Sequence, residues 1–479
     1  MHGTNLVLFI YILVLLAVCL QIIFMTRSST KALAYLLFCI FVPVFGIFFY
    51  FIFGVNYWRQ KRYAKKIGSS KDLLKRINEA VDYYSTPFLQ RKNISLEDNA
   101  ELMSMLSKDI NSPITGNNHV KLLVNGEQKF PELFKCMEDA RHHIHLEYYI
   151  FEQDDVGMKI IDLLMRKARE GVAVRVIYDD LGSHLKRNTV KRMRESGVEV
   201  YPFHRVHFYL LANRFNYRNH RKIVIIDGQT GFTGGINVSD KYINNGKHTL
   251  FWRDSSIRID GPGVYYMQYL FITDWNFCSG TEMPLSHDLF RREFPKGTKH
   301  IQIASSGPDS ESPSIMFSIL EAIYLAKEEI LITTPYFIPG ESIMDALRIA
   351  ATSGISVKLL VPGICDSKFV NAASKDHYEV LLKAGVEIFV YRKGFVHAKT
   401  LVTDGKLSMI GTANMDHRSF ELNFEVNAVI YDSAFSKELR AVFFEDLKVS
   451  EKIIPEEWYN RSRFIRLLER SARLFSPSL

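Results

Sequence analysis

Two stretches of this chain carry the same reactive side chains at the same spacing. The first, HRKIVIIDGQTGFTGGIN, holds His220, Lys222 and Asp227, then Gly234, Gly235 and Asn237. The second, HAKTLVTDGKLSMIGTAN, holds His397, Lys399 and Asp404, then Gly411, Thr412 and Asn414. In both, the lysine stands two residues after the histidine and the aspartate seven after it. A strand alternates its faces, so the histidine and lysine point to one side and offer an imidazole and a cation to one place. Imidazole suits nucleophilic attack or proton transfer near neutral pH. Lysine and asparagine supply donors for phosphodiester oxygens, whose charge grows in the transition state. Converging, the two copies would give one histidine to attack and one to protonate the leaving oxygen. A single such match is weak, but two in register are not.

The carboxylates divide into two kinds. Asp227 and Asp404 belong to the catalytic motif, yet an odd offset puts them on the opposite strand face from the histidines. Each precedes a glycine, so anchoring an Asp-Gly turn is their expected work. Glu425 and Asp254 are candidates to accept the second ring N–H of a histidine and fix its orientation. His142, His143 and His145 form a run without acidic company and are expected to be structural, so no metal site is expected.

The elements that must position this chemistry are themselves repeated. In the first copy a helix-like stretch, Phe134–His142, leads into HIHLEYYIF, and GMKIIDLLMRKAREG leads into VAVRVIYDD. In the second, SILEAIYLAKEE leads into ILITTPYFIP, and SIMDALRIAATSG leads into ISVKLLVPG. Strands alternating with helices of this length predict an α/β fold with a largely parallel sheet. A repeat of this size is a duplicated domain rather than a solenoid. The boundary is expected near residues 283–298, where Pro, Gly and charge interrupt the pattern. The expected layout is a membrane segment at 1–58, a basic juxtamembrane linker at 59–115, a first lobe at 116–285 and a second at 286–479. The cluster Lys186–Arg194 reads as an exposed helix.

Before the lobes lie two apolar stretches, about 5–25 and 32–55, each long enough to cross a bilayer core. The first lacks a basic leader and a second follows at once, which argues for a hairpin over a cleaved signal. Pro43 and Gly46 fall inside the second stretch, where a membrane helix tolerates them. Arg59, Lys61, Arg62, Lys65 and Lys66 follow, with Tyr57 and Trp58 at the interfacial level, which places the lobes in the cytoplasm. The five cysteines are odd in number and widely spaced, against a disulfide framework or a cysteine zinc site. A net charge of +8 favours anionic partners. At the C-terminus, Phe464, Leu468, Ala472 and Phe475 share one helical face with five arginines elsewhere, fitting a membrane-surface helix or one docked on the body. Ahead of His220, the segment 204–219 mixes aromatics with Arg205, Arg214 and Arg218, fitting either lipid contact or core.

The paired motif resembles the HKD motif of the phospholipase D superfamily. WRDSSIRIDGPGVYYMQYLFITDW after the first copy and NMDHRSFELNFEVNAVIYD after the second resemble the bacterial cardiolipin synthases. So do the N-terminal hairpin, its Pro-x-x-Gly and its FGVNYW exit. The resemblance implies two similar lobes, each a sheet flanked by helices, with one active site between them. It implies conversion of two phosphatidylglycerols to cardiolipin and glycerol through a phosphohistidine at one histidine, the other acting as acid and then base. Lys222, Lys399, Asn237 and Asn414 would hold the phosphoryl oxygens, and no cofactor is implied. The order of the histidines is left open. The implied setting is a bacterial plasma membrane, multi-pass, with anionic lipid and not nucleic acid as partner. A phospholipase D hydrolase, or a transferase using another alcohol, would differ only in the acceptor pocket. A nuclease of the superfamily would use the basic charge but not the membrane hairpin, and a non-enzymatic descendant would have lost a histidine or lysine.

Overall fold

The computed structural model describes residues 2–26, 29–42, 44–53, 71–89, 94–203, 217–286, 289–290 and 297–474. Runs rich in Val, Ile and Leu form strands that join into one 15-stranded sheet. From the centre outward, the first half runs Thr115–Val124, Ser255–Asp260, Thr230–Gly234, Lys222–Ile226, His143–Tyr148, Ala173–Asp179 and Glu199–Phe203. The second half runs Lys299–Ser306, Glu425–Ile430, Leu407–Gly411, Thr400–Thr403, Glu329–Thr333, Ser356–Pro362 and Glu387–Tyr391, with Ser450–Lys452 added at the edge. The halves match strand for strand. They join through their first strands, which run antiparallel with an irregular register, Thr115 opposite Ile301 and Asn118 opposite Lys299.

The sheet is not largely parallel. Only the outer three matched strands of each half pair in parallel. The motif strands return through a tight turn centred on Asp-Gly, which closes an antiparallel hairpin. Helices cover both faces, so the strands Lys222–Ile226 and Leu407–Gly411 are buried throughout. On one face, helices Val264–Ser279 and Ser433–Leu447 share a hydrophobic core that spans both halves. Across the sheet, each half has its own core, built on helices Asn125–Glu138 and Asp155–Arg169 in the first and Ser314–Leu325 and Glu341–Thr352 in the second. The first of these helices begins well before Phe134, because it continues through Pro131 rather than starting after it.

The expected linker is partly body. Helix Lys71–Leu89 buries Leu73, Ile77 and Val81 in the shared core, a four-residue spacing that makes one helical face. Upstream, helix His2–Met25 contains an apolar window, Leu8–Met25, long enough to cross a membrane. The second apolar stretch is not one straight span. It forms helices Ser29–Phe41 and Phe45–Phe53, which meet where Val44 takes φ +62°. They fold back on each other, with Tyr35 and Tyr50 rings 5.4 Å apart and Phe38 and Phe49 rings 5.1 Å apart. Gly46 permits the close approach, since a Cβ there would meet the Phe38 carbonyl oxygen at 2.4 Å. Pro43, the FGVNYW exit beyond Phe53 and the basic cluster after it lie outside the described residues, as do Arg205, Arg214 and Phe475.

Candidate active site

His220 and His397 stand immediately before the paired motif strands, and each is oriented by the opposite half of the molecule. His220 Nδ1 lies 2.8 and 3.0 Å from the two carboxylate oxygens of Glu425. His397 Nδ1 lies 2.6 Å from Asp254 Oδ2. The backbone repeats the exchange: His220 N–H donates to the Phe424 carbonyl at 2.9 Å, and His397 N–H donates to the Arg253 carbonyl at 2.7 Å. Short parallel pairing of Phe251–Arg253 with Gly394–Val396, and a bridge between Asn219 and Phe424, tie the crossings down. Both carboxylates are fully buried and both histidines nearly so. With Nδ1 held by a carboxylate, Nε2 is the ring nitrogen left for substrate.

The lysines complete two matched pairs. Lys222 Nζ donates to the His220 carbonyl at 2.8 Å, and Lys399 Nζ to the His397 carbonyl at 2.5 Å. Burial pushes their ammonium groups down to about 7 and about 8, and the nearby carboxylates work against that. Burial likewise holds His220 at about 4 and His397 at about 3, so both rings rest neutral. Burial acts to raise Asp254 and Glu425, but the histidine each holds and the nearby lysine more than offset it, leaving both carboxyls below their ordinary range. Lys399 bears on His220 and Lys222 on His397, so the two pairs share one electrostatic environment.

Asp227 and Asp404 are not at this centre. Asp227 accepts the successive backbone N–H groups of Arg141, His142 and His143 at 2.9, 2.7 and 2.9 Å. Asp404 accepts those of Lys327, Glu328 and Glu329 at 2.9, 2.8 and 2.9 Å. Each therefore clamps the start of the neighbouring antiparallel strand to the motif turn. Both take a left-handed φ of +53°, and the glycines after them follow at +61° and +58°. Positive φ at both central residues is the type I′ hairpin geometry that Asp-Gly favours. Asn237 accepts from Ile150 N–H at 3.2 Å and donates to the Tyr242 hydroxyl at 2.8 Å. Asn414 is bonded to Asp416 and keeps a buried Oδ1 with no partner among the described residues.

Comparison with known proteins supplies the family. The pattern described as "Cardiolipin synthase, PLD-like domain" matches residues 133–258 and 319–447, and "Phospholipase_D-nuclease N-terminal" matches 8–54. The chain is 43% identical over 462 residues to "Major cardiolipin synthase ClsA" of Bacillus subtilis, covering 95% of this chain and 94% of that one. It is 40% identical over 466 residues to "Cardiolipin synthase 1" of Bacillus anthracis, covering 95% and 90%. The chain belongs to the bacterial cardiolipin synthases of the phospholipase D superfamily. Among solved structures, a phosphatidylserine synthase of Haemophilus influenzae superposes with a TM-score of 0.60 at 12% identity, covering 80% of this chain and all of that one, which speaks for the fold.

The site also holds contacts that the motif spacing does not announce. Thr412 donates its hydroxyl to Glu425. The Arg221 guanidinium donates to Asp274 at 2.5 Å and to the Glu425 carbonyl at 3.3 Å, bracing the strand that carries Glu425. Beside it, Asn219 Nδ2 donates to Glu147 at 2.5 Å, and burial with the adjacent Asp274 holds the Glu147 carboxyl well above its ordinary range. Aromatic rings wall the histidines: Tyr149 lies 4.8 Å from His220, and Trp252 and Phe395 each 5.6 Å from His397. Arg221 sits inside the first motif, but its inward direction depends on a partner 53 residues away, which spacing alone does not reveal. His143 and His145 are buried structural groups on Gln268, at 3.3 and 2.8 Å.

Proposed function

We infer that this chain transfers a phosphatidyl group from one phosphatidylglycerol to another, releasing glycerol and forming cardiolipin. The observation that carries the reading is the reciprocal pair of buried His–carboxylate couples on a chain of this family. One histidine uses its Nε2 lone pair to attack phosphorus, forming a P–N bond as the P–O bond to glycerol breaks. The other, protonated, gives its proton to the departing glycerol oxygen. It then takes the proton of the second lipid's headgroup hydroxyl, whose oxygen attacks phosphorus as the P–N bond breaks. One phosphodiester replaces another, so the exchange is close to neutral in energy.

Burial keeps both rings neutral until substrate arrives, and the entering phosphodiester anion is what favours protonation of one of them. Lys222 and Lys399 are placed to hold phosphoryl oxygens, and Asn237 and Asn414 to do so by exchanging a present partner. The lobes are assigned to the cytoplasmic side, on the basic residues after the apolar segments. A tag at the N-terminus reads the topology: protection inside cells supports two crossings, and surface exposure supports one.

The test of the reaction is lipid analysis of the purified full chain in phosphatidylglycerol vesicles, beside His220→Ala and His397→Ala. Cardiolipin with free glycerol from the parent, and none from either variant, supports the reading. Phosphatidic acid in place of cardiolipin would make it a hydrolase, and full activity in either variant would remove the two-histidine mechanism.

A further inference from the structure

The terminal helix Arg463–Arg473 is docked with much of its apolar surface outward. Phe464, Leu467, Leu468 and Leu474 recur at helical spacing and are 67%, 60%, 53% and 75% exposed. What faces the body is largely polar: Arg466 pairs with Glu379 at 2.8 Å and Arg473 with Asp376 at 3.0 Å, while Glu469 and Ala472 are buried. Water gives no reason to pin a helix by its arginines and leave its leucines out. An apolar face bordered by arginine is the pattern of a helix lying in a membrane interface.

A run of contacts also links the helix to the site. Its Ala472 packs with Ala373 and Ile338, and Ile338 lies in register with Asp416, two residues beyond Asn414. The helix it docks on, Lys368–Lys383, starts beside Ile364 and Phe369, which are 49% and 45% exposed. Between those two stands Asp366, whose charge bears on both Lys399 and Lys241. Lys368 and Arg463 have no carboxylate partner among the described residues, so the apolar patch is edged by available cations. The same chain carries an apolar helix fit to cross a membrane, which keeps the body within reach of a bilayer.

We propose that the terminal helix, together with the N-terminal end of helix Lys368–Lys383, is a membrane-interface surface that seats the mouth of the active site on an anionic bilayer. The choice of lipid as occupant rests on the function inferred above, whereas the seating itself is measured independently of turnover. In the full chain, Leu467→Trp reconstituted with brominated phosphatidylglycerol should show quenching beyond that of the parent. Absence of added quenching overturns the proposal, whether or not cardiolipin is formed. The triple variant Phe464→Asp, Leu467→Asp, Leu468→Asp should lose about tenfold or more of its activity on vesicles, because charge expels such a face from the interface. On phosphatidylglycerol in detergent mixed micelles it should match the parent, which excludes a folding defect. Equal loss on both substrates, no loss on either, or dissociation of an oligomer in place of lost vesicle activity would each assign the face to something other than lipid.

Discussion

Glu425 and Asp254 occupy matched positions in the two halves but differ by one methylene, and their surroundings differ accordingly. Glu425 has Thr412 against it; at the matched position Gly235 leaves no room, since a Cβ would meet Asp254 Oδ1 at 2.1 Å. Glutamine at 425 keeps the shape but can present an amide to His220, weakening its hold on the Nδ1–H form. The expected result is a fall in kcat of about 10²–10⁴-fold, by analogy with loss of the orienting carboxylate in a Ser-His-Asp triad. KM for phosphatidylglycerol should move little, and a steady-state assay of Glu425→Gln separates the two. Acid also acts here. Burial lowers His220 to about 4 and His397 to about 3, against about 6.5 in an unfolded chain. Between those values the unfolded chain binds more protons than the folded one. Stability is therefore fully present above about pH 6.5 and is lost as the pH falls toward the folded values. Thermal unfolding between pH 7.5 and 5 should show Tm dropping, with a shallower slope in a His220→Gln, His397→Gln double variant.

At the scale of elements, the motif aspartates are joints. Asp404→Ala removes the acceptor of three backbone N–H groups and places alanine at a left-handed φ, so a loss of about 2–4 kcal/mol is expected. Chemical denaturation should show that loss while activity per folded molecule stays near the parent's; a selective loss of turnover would instead return Asp404 to the chemistry. This work was legible in the sequence, because an odd strand offset and a following glycine already separate the aspartate from the histidine. The strand direction was less so. Helix-strand alternation suggested parallel pairing, but the Asp-Gly turns close antiparallel hairpins at the middle of each half. The second apolar stretch misled for a similar reason: composition shows that residues are apolar, whereas the backbone reversal at Val44 depends on a close approach of Gly46 to Phe38.

At the scale of the whole molecule, the duplication, the two motifs and the candidate carboxylates could all be read from the residues. Which half serves which histidine could not, because the crossing is a property of how the halves face each other. That crossing predicts the behaviour of a divided chain. Residues 1–286 and 297–479 expressed separately should each form no cardiolipin, since His220 then lacks Glu425 and His397 lacks Asp254. Co-expression should restore product, and lipid extraction from the producing cells reads both results. Matched first strands meeting antiparallel at the centre are also what a two-fold axis generates from identical partners. A single ancestral half could thus have made this site only as a homodimer, with two indistinguishable histidines. Joined in one chain the two halves need not stay identical, and the Asp254–Gly235 and Glu425–Thr412 pairings are where they differ.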